Sequence, residues 1–383
     1  MKLTLAHRLG AVATAGALLA FAGCERGSQM KADAGPTATA EGTCPDVVAA
    51  AETAVAKALD VAAPWTGPTS GPKASGSKSI IYIAQAMTNP GVAGVAKGVQ
   101  EAGAAIGWNV RILDGGGNQS DIGGAIAQAI AQKPDGIVLS GFDPKTVSGE
   151  VSRANSAGIP LIGWHAVANP GPSDSPKLFS NVTTKVEDVS KISAQYIVAK
   201  SRGTAGVVIF TDDSIPFAAG KAQMIEEGLK ECNSVSVLSK QNIPIPDAGT
   251  RTPQAFSTLV TSLGEKWTYS VAINDLYFDN AATPLRAAGK QGGGAPYNVG
   301  AGDGSEAAFQ RIAAKQFQAA TVPEPLNEQG WQIVDEFNRA FANEPASGYV
   351  SPVHITDASN VGTSTNWDPQ NGYRDEYKKI WGK

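Results

Sequence analysis

Between residues 79 and 166 the hydrophobic positions change period several times. Short β-branched runs at 79–84, 109–113, 136–139 and 160–163 are apolar almost without interruption, as suits strands covered on both faces. Between them the apolar residues fall at helical spacing: Val92, Val95, Val99, Ala102 and Ile106, then Ile122, Ile126 and Ile130, then Val147, Val151 and Ala154. Strand and helix in alternation, with short loops, predict a parallel sheet with helices on both faces. Ligands of such sheets bind at the carboxyl ends of the strands. Asn89, Asp143, Trp164 and His165 fall there.

The alternation restarts further on. Strand patterns at 177–180, 206–210, 234–238, 269–273, 297–300 and 318–322 frame helical patterns at 186–200, 218–230, 253–263, 278–290 and 306–314. A long helix is predicted over 327–341, then a strand at 353–356, then an irregular tail, 357–383, that ends in an aromatic, charged stretch. The fold class is α/β, with two doubly wound parallel-sheet domains. Ahead of them Val48, Ala51, Val55 and Leu59 predict one helix within 45–62, docked on the protein. A Pro/Gly/Ser linker, 64–78, follows. Its Trp65 is expected to pin the linker to a domain; the other reading places it at the rim of a site.

The first 23 residues carry Lys2 and Arg8 before an apolar run, 11–22, the pattern of a signal peptide. The run ends in Phe21-Ala22-Gly23-Cys24, which resembles the lipobox of bacterial lipoproteins and implies a lipidated Cys24. Residues 25–43 have the composition of a flexible tether. The full chain of 383 residues is 42% hydrophobic and 17% charged, with a net charge of −4. No basic run suggests nucleic acid as a partner, and no later stretch is apolar enough to span a membrane. The expected membrane contact is the lipid anchor alone. With Cys24 modified, Cys44 and Cys232 remain in an oxidising compartment and are expected to pair.

No enzyme is expected. Gly115-Gly116-Gly117 follows a strand, but Ser120 stands where a dinucleotide fingerprint needs its last glycine. A phosphate loop, a nucleophile elbow and metal-ligand spacing are all missing from the sequence, and the histidines are His7, His165 and His354. Neither a cofactor nor a metal is expected.

Several segments, in order, resemble one family. Thr88-Asn89-Pro90 follows the first strand, Pro134-Asp135-Gly136-Ile137 opens the third, and Ala157-Gly158-Ile159-Pro160-Leu161-Ile162 leads into the fourth. Ala272-Ile273-Asn274-Asp275, Asn298-Val299-Gly300-Ala301-Gly302-Asp303-Gly304 and Ala320-Thr321-Val322 follow. Over 78–358 the chain resembles the ribose-type (type I) periplasmic solute-binding proteins of bacterial ABC importers. The resemblance implies two lobes, 79–181 plus 326–356 and 182–325, joined by crossovers near Asn181, Pro325 and Thr356, with ligand in the cleft. It implies an extracytoplasmic monomer that binds a small polar solute, a sugar or sugar-like molecule, and delivers it to an importer permease. Delivery to a membrane sensor, or a non-sugar amine or nucleoside-like ligand, is the alternative.

By the same resemblance Asn89, Asn274 and Asp303 keep the family's ligand-binding residue types. Glu324 stands where Gln is common, and His165 where Asp is common. The two aromatics after Asn-Pro are replaced by Gly91 and Val92. The first arginine position holds Ala166; the second falls near Ala219, beside Phe217. Trp164, Phe217 and Tyr277 are the candidates to supply stacking faces. Loss of both arginines beside Asp303 and Glu324 predicts an acidic cleft and a ligand rich in O–H or N–H donors, cationic or not.

Overall fold

The computed structural model describes residues 44–383. The signal peptide, Cys24 and the tether lie outside the described residues. Helix α1 (Pro45–Ala58) comes first, and the linker leads to β1 (Ser79–Ala84). The first lobe continues through α2 (Pro90–Ile106), β2 (Asn109–Asp114), α3 (Gln119–Ala131), β3 (Gly136–Ser140), α4 (Ser148–Ser156), β4 (Leu161–Trp164), β5 (Gly171–Asp174) and β6 (Lys177–Val182). The second comprises α5 (Val186–Ser201), β7 (Gly206–Thr211), α6 (Pro216–Lys230), β8 (Ser236–Asn242), α7 (Ala248–Leu263), β9 (Tyr269–Ala272), α8 (Ala282–Ala287), β10 (Tyr297–Gly300), α9 (Glu306–Ala313) and β11 (Ala320–Thr321). Helix α10 (Leu326–Phe341) returns to the first lobe, β12 (Thr356–Asp357) to the second, and α11 (Tyr373–Trp381) closes the chain.

Each lobe holds a six-stranded sheet, ordered β2-β1-β3-β4-β6-β5 in the first and β12-β11-β10-β9-β7-β8 in the second. Edge strands β5 and β12 are antiparallel and the others parallel. Strand β1 shows why its sequence is apolar after the exposed Ser79. Ile80 and Tyr82 face the core under α2 and α10, while Ile81 and Ile83 face the core under α3 and α4. A strand covered on both faces has no position for a polar side chain.

Three departures from the sequence reading have local causes. The pattern 278–290 shortens to α8, which begins at Ala282 and so keeps Pro284 in its first turn, where a missing N–H costs nothing. Strand β5 (GPSD) has no apolar run. It is held at the edge by pairing with β6, and the Asn181 Nδ2 ties the preceding loop by donating to the Val167 and Asn169 carbonyls, 2.9 Å each. The tail is not irregular to its end: Tyr373, Tyr377, Ile380 and Trp381 make one helical stripe, buried against Trp331 in the first lobe. Trp65 joins the same aromatic cluster, with ring centroids 5.0 Å from Tyr349 and 5.4 Å from Tyr377.

The lobe boundaries shift accordingly. Strand β12 belongs to the second sheet although 356 was assigned to the first lobe, and the tail's helix belongs to the first. Helix α1 packs through Val48, Ala51, Val55 and Ala58 on the second lobe's core. Cys44, just before it, is joined to Cys232 at the end of α6, with Cα atoms 5.6 Å apart. Two connections therefore run between the lobes beyond the crossovers at 183–185, 322–325 and 342–355: the linker after α1, and the segment between β12 and α11.

Helix α10 is buried along nearly its whole length, carboxylates included. Glu328 accepts from the Tyr349 and Ser351 hydroxyls at 2.8 Å each and from Asn371 Nδ2 at 3.0 Å. Asp335 accepts from Arg339 Nε at 2.7 Å and Trp381 Nε1 at 2.9 Å. The crossover after α10, through Tyr349 and Ser351, and the C-terminal extension, through Asn371 and Trp381, thus supply donors without which such burial would be costly.

Candidate functional site

The carboxyl ends of β1, β3 and β4 in one lobe face those of β9 and β10 in the other across a cleft of about 320 Å³. That volume is at the small end of ligand pockets, about 300–1,000 Å³. The first lobe contributes Gln85, Asn89, Asp143, Lys145, Trp164 and His165; the second contributes Ile215, Phe217, Lys221, Ile245, Asn274 and Asp303.

Local structure positions each of these side chains. Asn89 caps α2, its Oδ1 accepting from Gly91 N at 3.0 Å. The cap fixes the amide at the cleft edge and satisfies one free N–H of the first turn. Trp164 ends β4 and is buried; its Nε1 donates to Gln329 Oε1 at 2.7 Å. His165 takes a left-handed backbone, φ 48°, that turns its ring back onto Trp164. The two rings are parallel within 7°, with centroids 4.0 Å apart. Phe217, across the cleft, lies 5.7 Å from the imidazole. The stacking face of Trp164 is therefore covered by the chain's own ring.

Behind His165 stands Glu324, 2% exposed, outside the lining of the cleft. It accepts from Thr184 Oγ1 and Gln329 Nε2, both at 2.6 Å. His165 Nε2 lies 3.5 Å from its Oε1, an ion pair whenever the imidazole is protonated but too long for a good hydrogen bond. Burial pushes the Glu324 pKa up, but His165, Thr184 and Lys221 outweigh it and hold the carboxyl at about 2. Glu324 sets the position of the cleft wall from the crossover between the lobes.

In the second lobe Asn274 caps a single turn after β9, its Oδ1 accepting from Leu276 N at 3.0 Å, and its Nδ2 donates to Asp303 Oδ2. Asp303 has φ 63° between Gly302 and Gly304, a turn that only glycines on either side can complete. Asp275 holds that turn from below. Its Oδ2 accepts from Gly304 N at 2.8 Å and Thr321 Oγ1 at 3.0 Å. Burial raises the Asp275 carboxyl to about 7, against the donors Thr321 and Gln318 and the charge of Arg311. Lys221 holds the turn from the side, its Nζ donating to the Ala301 carbonyl at 2.8 Å. Burial lowers the Lys221 pKa, while Asp303, Glu324 and Asp275 draw it up. Burial raises the Asp303 pKa, against the charges of His165 and Lys221.

Three sequence expectations are corrected here. Glu324, expected to bind ligand, does not line the cleft, because His165 stands between it and the cavity and Thr184 and Gln329 take up its oxygens. Tyr277 is not a stacking face of the cleft. It is fully buried, its hydroxyl donates to the Ile243 carbonyl at 2.7 Å, and its ring packs 6.1 Å from Phe210. The turn after Asn274 points it into the second lobe's core. The cleft is also not simply acidic, because Lys221 brings a buried cation beside Asp303. Sequence reasoning looked for an arginine near Ala219 and passed over Lys221. The available signal was a lysine on the inward stripe of α6, one turn after Phe217 and between Ala218 and Ile225. Gln329 and Asp275 were missed as well, since neither touches the cleft.

A larger cavity, about 500 Å³, opens at the other end of the second lobe, where Tyr269 and Tyr297 begin β9 and β10. Its wall groups largely serve one another: Lys200 pairs with Asp357 at 3.2 Å and Tyr196 donates to the same carboxylate at 3.1 Å. None of the expected site residues lies there.

The family model for the periplasmic binding protein domain matches residues 80–345. The chain belongs to the periplasmic binding protein family. Membership places it outside the cytoplasm as a binding protein rather than an enzyme. The fold has many solved relatives. An ABC transporter solute-binding protein from Agrobacterium vitis, with bound allitol, is 19% identical, covers 75% of this chain and 97% of its own, and superposes with a TM-score of 0.65. An ABC sugar transporter subunit from Rhodobacter sphaeroides is 20% identical over 74% of this chain and 99% of its own, with a TM-score of 0.63. The binding component of the Shewanella arabinose ABC transporter, bound to L-arabinofuranose, is 14% identical over 79% and 95%, with a TM-score of 0.64. No curated protein matches the sequence. Among the described residues no helix is long and apolar enough to cross a membrane.

Proposed function

We propose that this periplasmic binding protein captures a small polyhydroxy solute, a sugar or sugar-like molecule, between its lobes and delivers it to an ABC importer. One observation carries the reading: polar side chains from both lobes, Asn89 and His165 on one side and Asn274 and Asp303 on the other, converge on one small cavity. A solute that touches both lobes favours their closure by its differential affinity for the closed state. The Asp303 carboxylate and the amides of Asn89 and Asn274 suit adjacent hydroxyls, and Phe217 suits an apolar C–H face. Lys221 offsets the charge of Asp303, so a cationic ligand is not required. The sugars and alditol held by structural relatives support the same class.

A thermal-shift panel of allitol, L-arabinose and D-tagatose tests the reading. At least one is expected to raise the unfolding temperature. Asp303→Ala should weaken that solute's binding by about 1.5–3 kcal/mol, the range for hydrogen bonds to a charged group. Absence of any shift across the panel would count against the solute class. The protein is proposed to act as a monomer tethered through lipidated Cys24. Cys24→Ala should then move it from the membrane fraction to the soluble fraction, and an unchanged distribution would rule the anchor out.

A further inference from the structure

Gly91 lies in the first turn of α2, on the first lobe, and is buried. A Cβ built on it would lie 2.9 Å from both Cγ and Oδ2 of Asp303, on the second lobe, and 3.2 Å from Cη2 of Trp164. Contacts under about 3 Å force a neighbour to move, and these neighbours have little room to do so. Asp303 sits in a turn pinned by Asp275 through Gly304 N and by Lys221 through the Ala301 carbonyl. Trp164 is pinned by Gln329 and covered by His165. A side chain at 91 and the carboxylate at 303 compete for one volume.

We propose that Gly91 is the residue that decides what the cleft closes on. It leaves open the part of the first lobe into which the Asp303 carboxylate descends when the lobes come together. The solute on that side meets an anionic acceptor, where the resemblance leads one to expect an aromatic face. The cleft therefore selects solutes that turn O–H or N–H donors, not an apolar ring face, toward residue 91. This rests on the binding-protein reading and adds to it a specificity-determining residue.

The substitution Gly91→Ala separates this role from a structural one. Gly91 is helical and has no left-handed backbone, so alanine there adds no backbone strain. Its overlap with Asp303 lies between lobes that can part when no solute holds them together, so the ligand-free unfolding temperature should change little. Binding of whichever of allitol, L-arabinose or D-tagatose stabilises the wild type should nevertheless weaken about tenfold or more, as overpacking of a fixed site does. Unchanged affinity in Gly91→Ala would overturn the proposal. A second arm needs no ligand. Asp303 Cβ is one bond from the Cγ that meets residue 91, which brings the two Cβ positions within disulfide reach. Gly91→Cys combined with Asp303→Cys, in the full chain with Cys24→Ser, should cross-link the lobes on mild oxidation, read by peptide mass spectrometry. A folded double variant that never cross-links would show that the two residues do not meet. If no panel member binds the wild type, the solute class fails while the cross-link still judges the Gly91–Asp303 contact.

Discussion

Replacing Glu324 with alanine is expected to destabilise the protein by about 3–5 kcal/mol, the cost of breaking a buried charge cluster on one side. The carboxylate is the shared acceptor for Thr184 and Gln329, lies 3.5 Å from His165 Nε2, and draws up the Lys221 pKa. Its removal leaves the Thr184 hydroxyl and Gln329 amide without their acceptor in a closed wall, and frees Gln329, on which Trp164 depends. Solute binding should fall with stability, because the Trp164–His165 stack loses its support. The pH dependence has a definite sign. The folded pKa of Glu324, about 2, is below its ordinary value of 4.5. The native state therefore holds fewer protons there, and the contribution is present above the ordinary value and lost as pH falls toward the folded one. Urea unfolding should show the gap between wild type and Glu324→Ala narrowing from neutral pH toward pH 3. A gap independent of pH would mean that packing alone, not charge, makes Glu324 important.

The second large effect is expected from Cys44→Ser with Cys232→Ser. The disulfide spans 188 residues of sequence. In the chain-entropy account a loop of that length stabilises by about 5 kcal/mol, and loss of a native disulfide typically costs about 2–5. The change should also loosen α1, whose attachment to the second lobe otherwise rests on a narrow stripe, Val48, Ala51, Val55 and Ala58. Guanidinium unfolding gives the total loss, and amide exchange in 45–58 gives the local one. A loss under about 1 kcal/mol would show that the apolar stripe holds α1 unaided.

The two sheets were legible because parallel strands buried on both faces leave uninterrupted apolar runs, and because α2 and α5 keep a clear helical period. Strand β5 was illegible for the opposite reason, since its four residues are fixed by edge pairing rather than by burial. Helix α11 carried a readable stripe, obscured by the Asn/Gly/Asp-rich stretch before it. Within the cleft, Asn89 and His165 were legible as strand-end residues, because parallel topology brings strand ends together, whereas Asn274 and Asp303 were read only through the family resemblance. Tyr277 was misplaced because a single helical turn rotates it inward, which no period over four residues can encode. Lys221 was missed because its partners are the backbone carbonyls of Ile273, just after β9, and Ala301, just after β10, distant in sequence. Gly91 read only as a lost aromatic. Its contact with Asp303 joins residues on different lobes and depends on how the lobes meet.

The central claim, that one small solute is held by both lobes at once, is tested most directly by native mass spectrometry of protein from its own source. The wild type should retain one small polyhydroxy molecule per chain. Asn89→Ala in the first lobe and Asp303→Ala in the second should each lose it while remaining folded. Retention unaffected by substitution in either lobe would contradict the account.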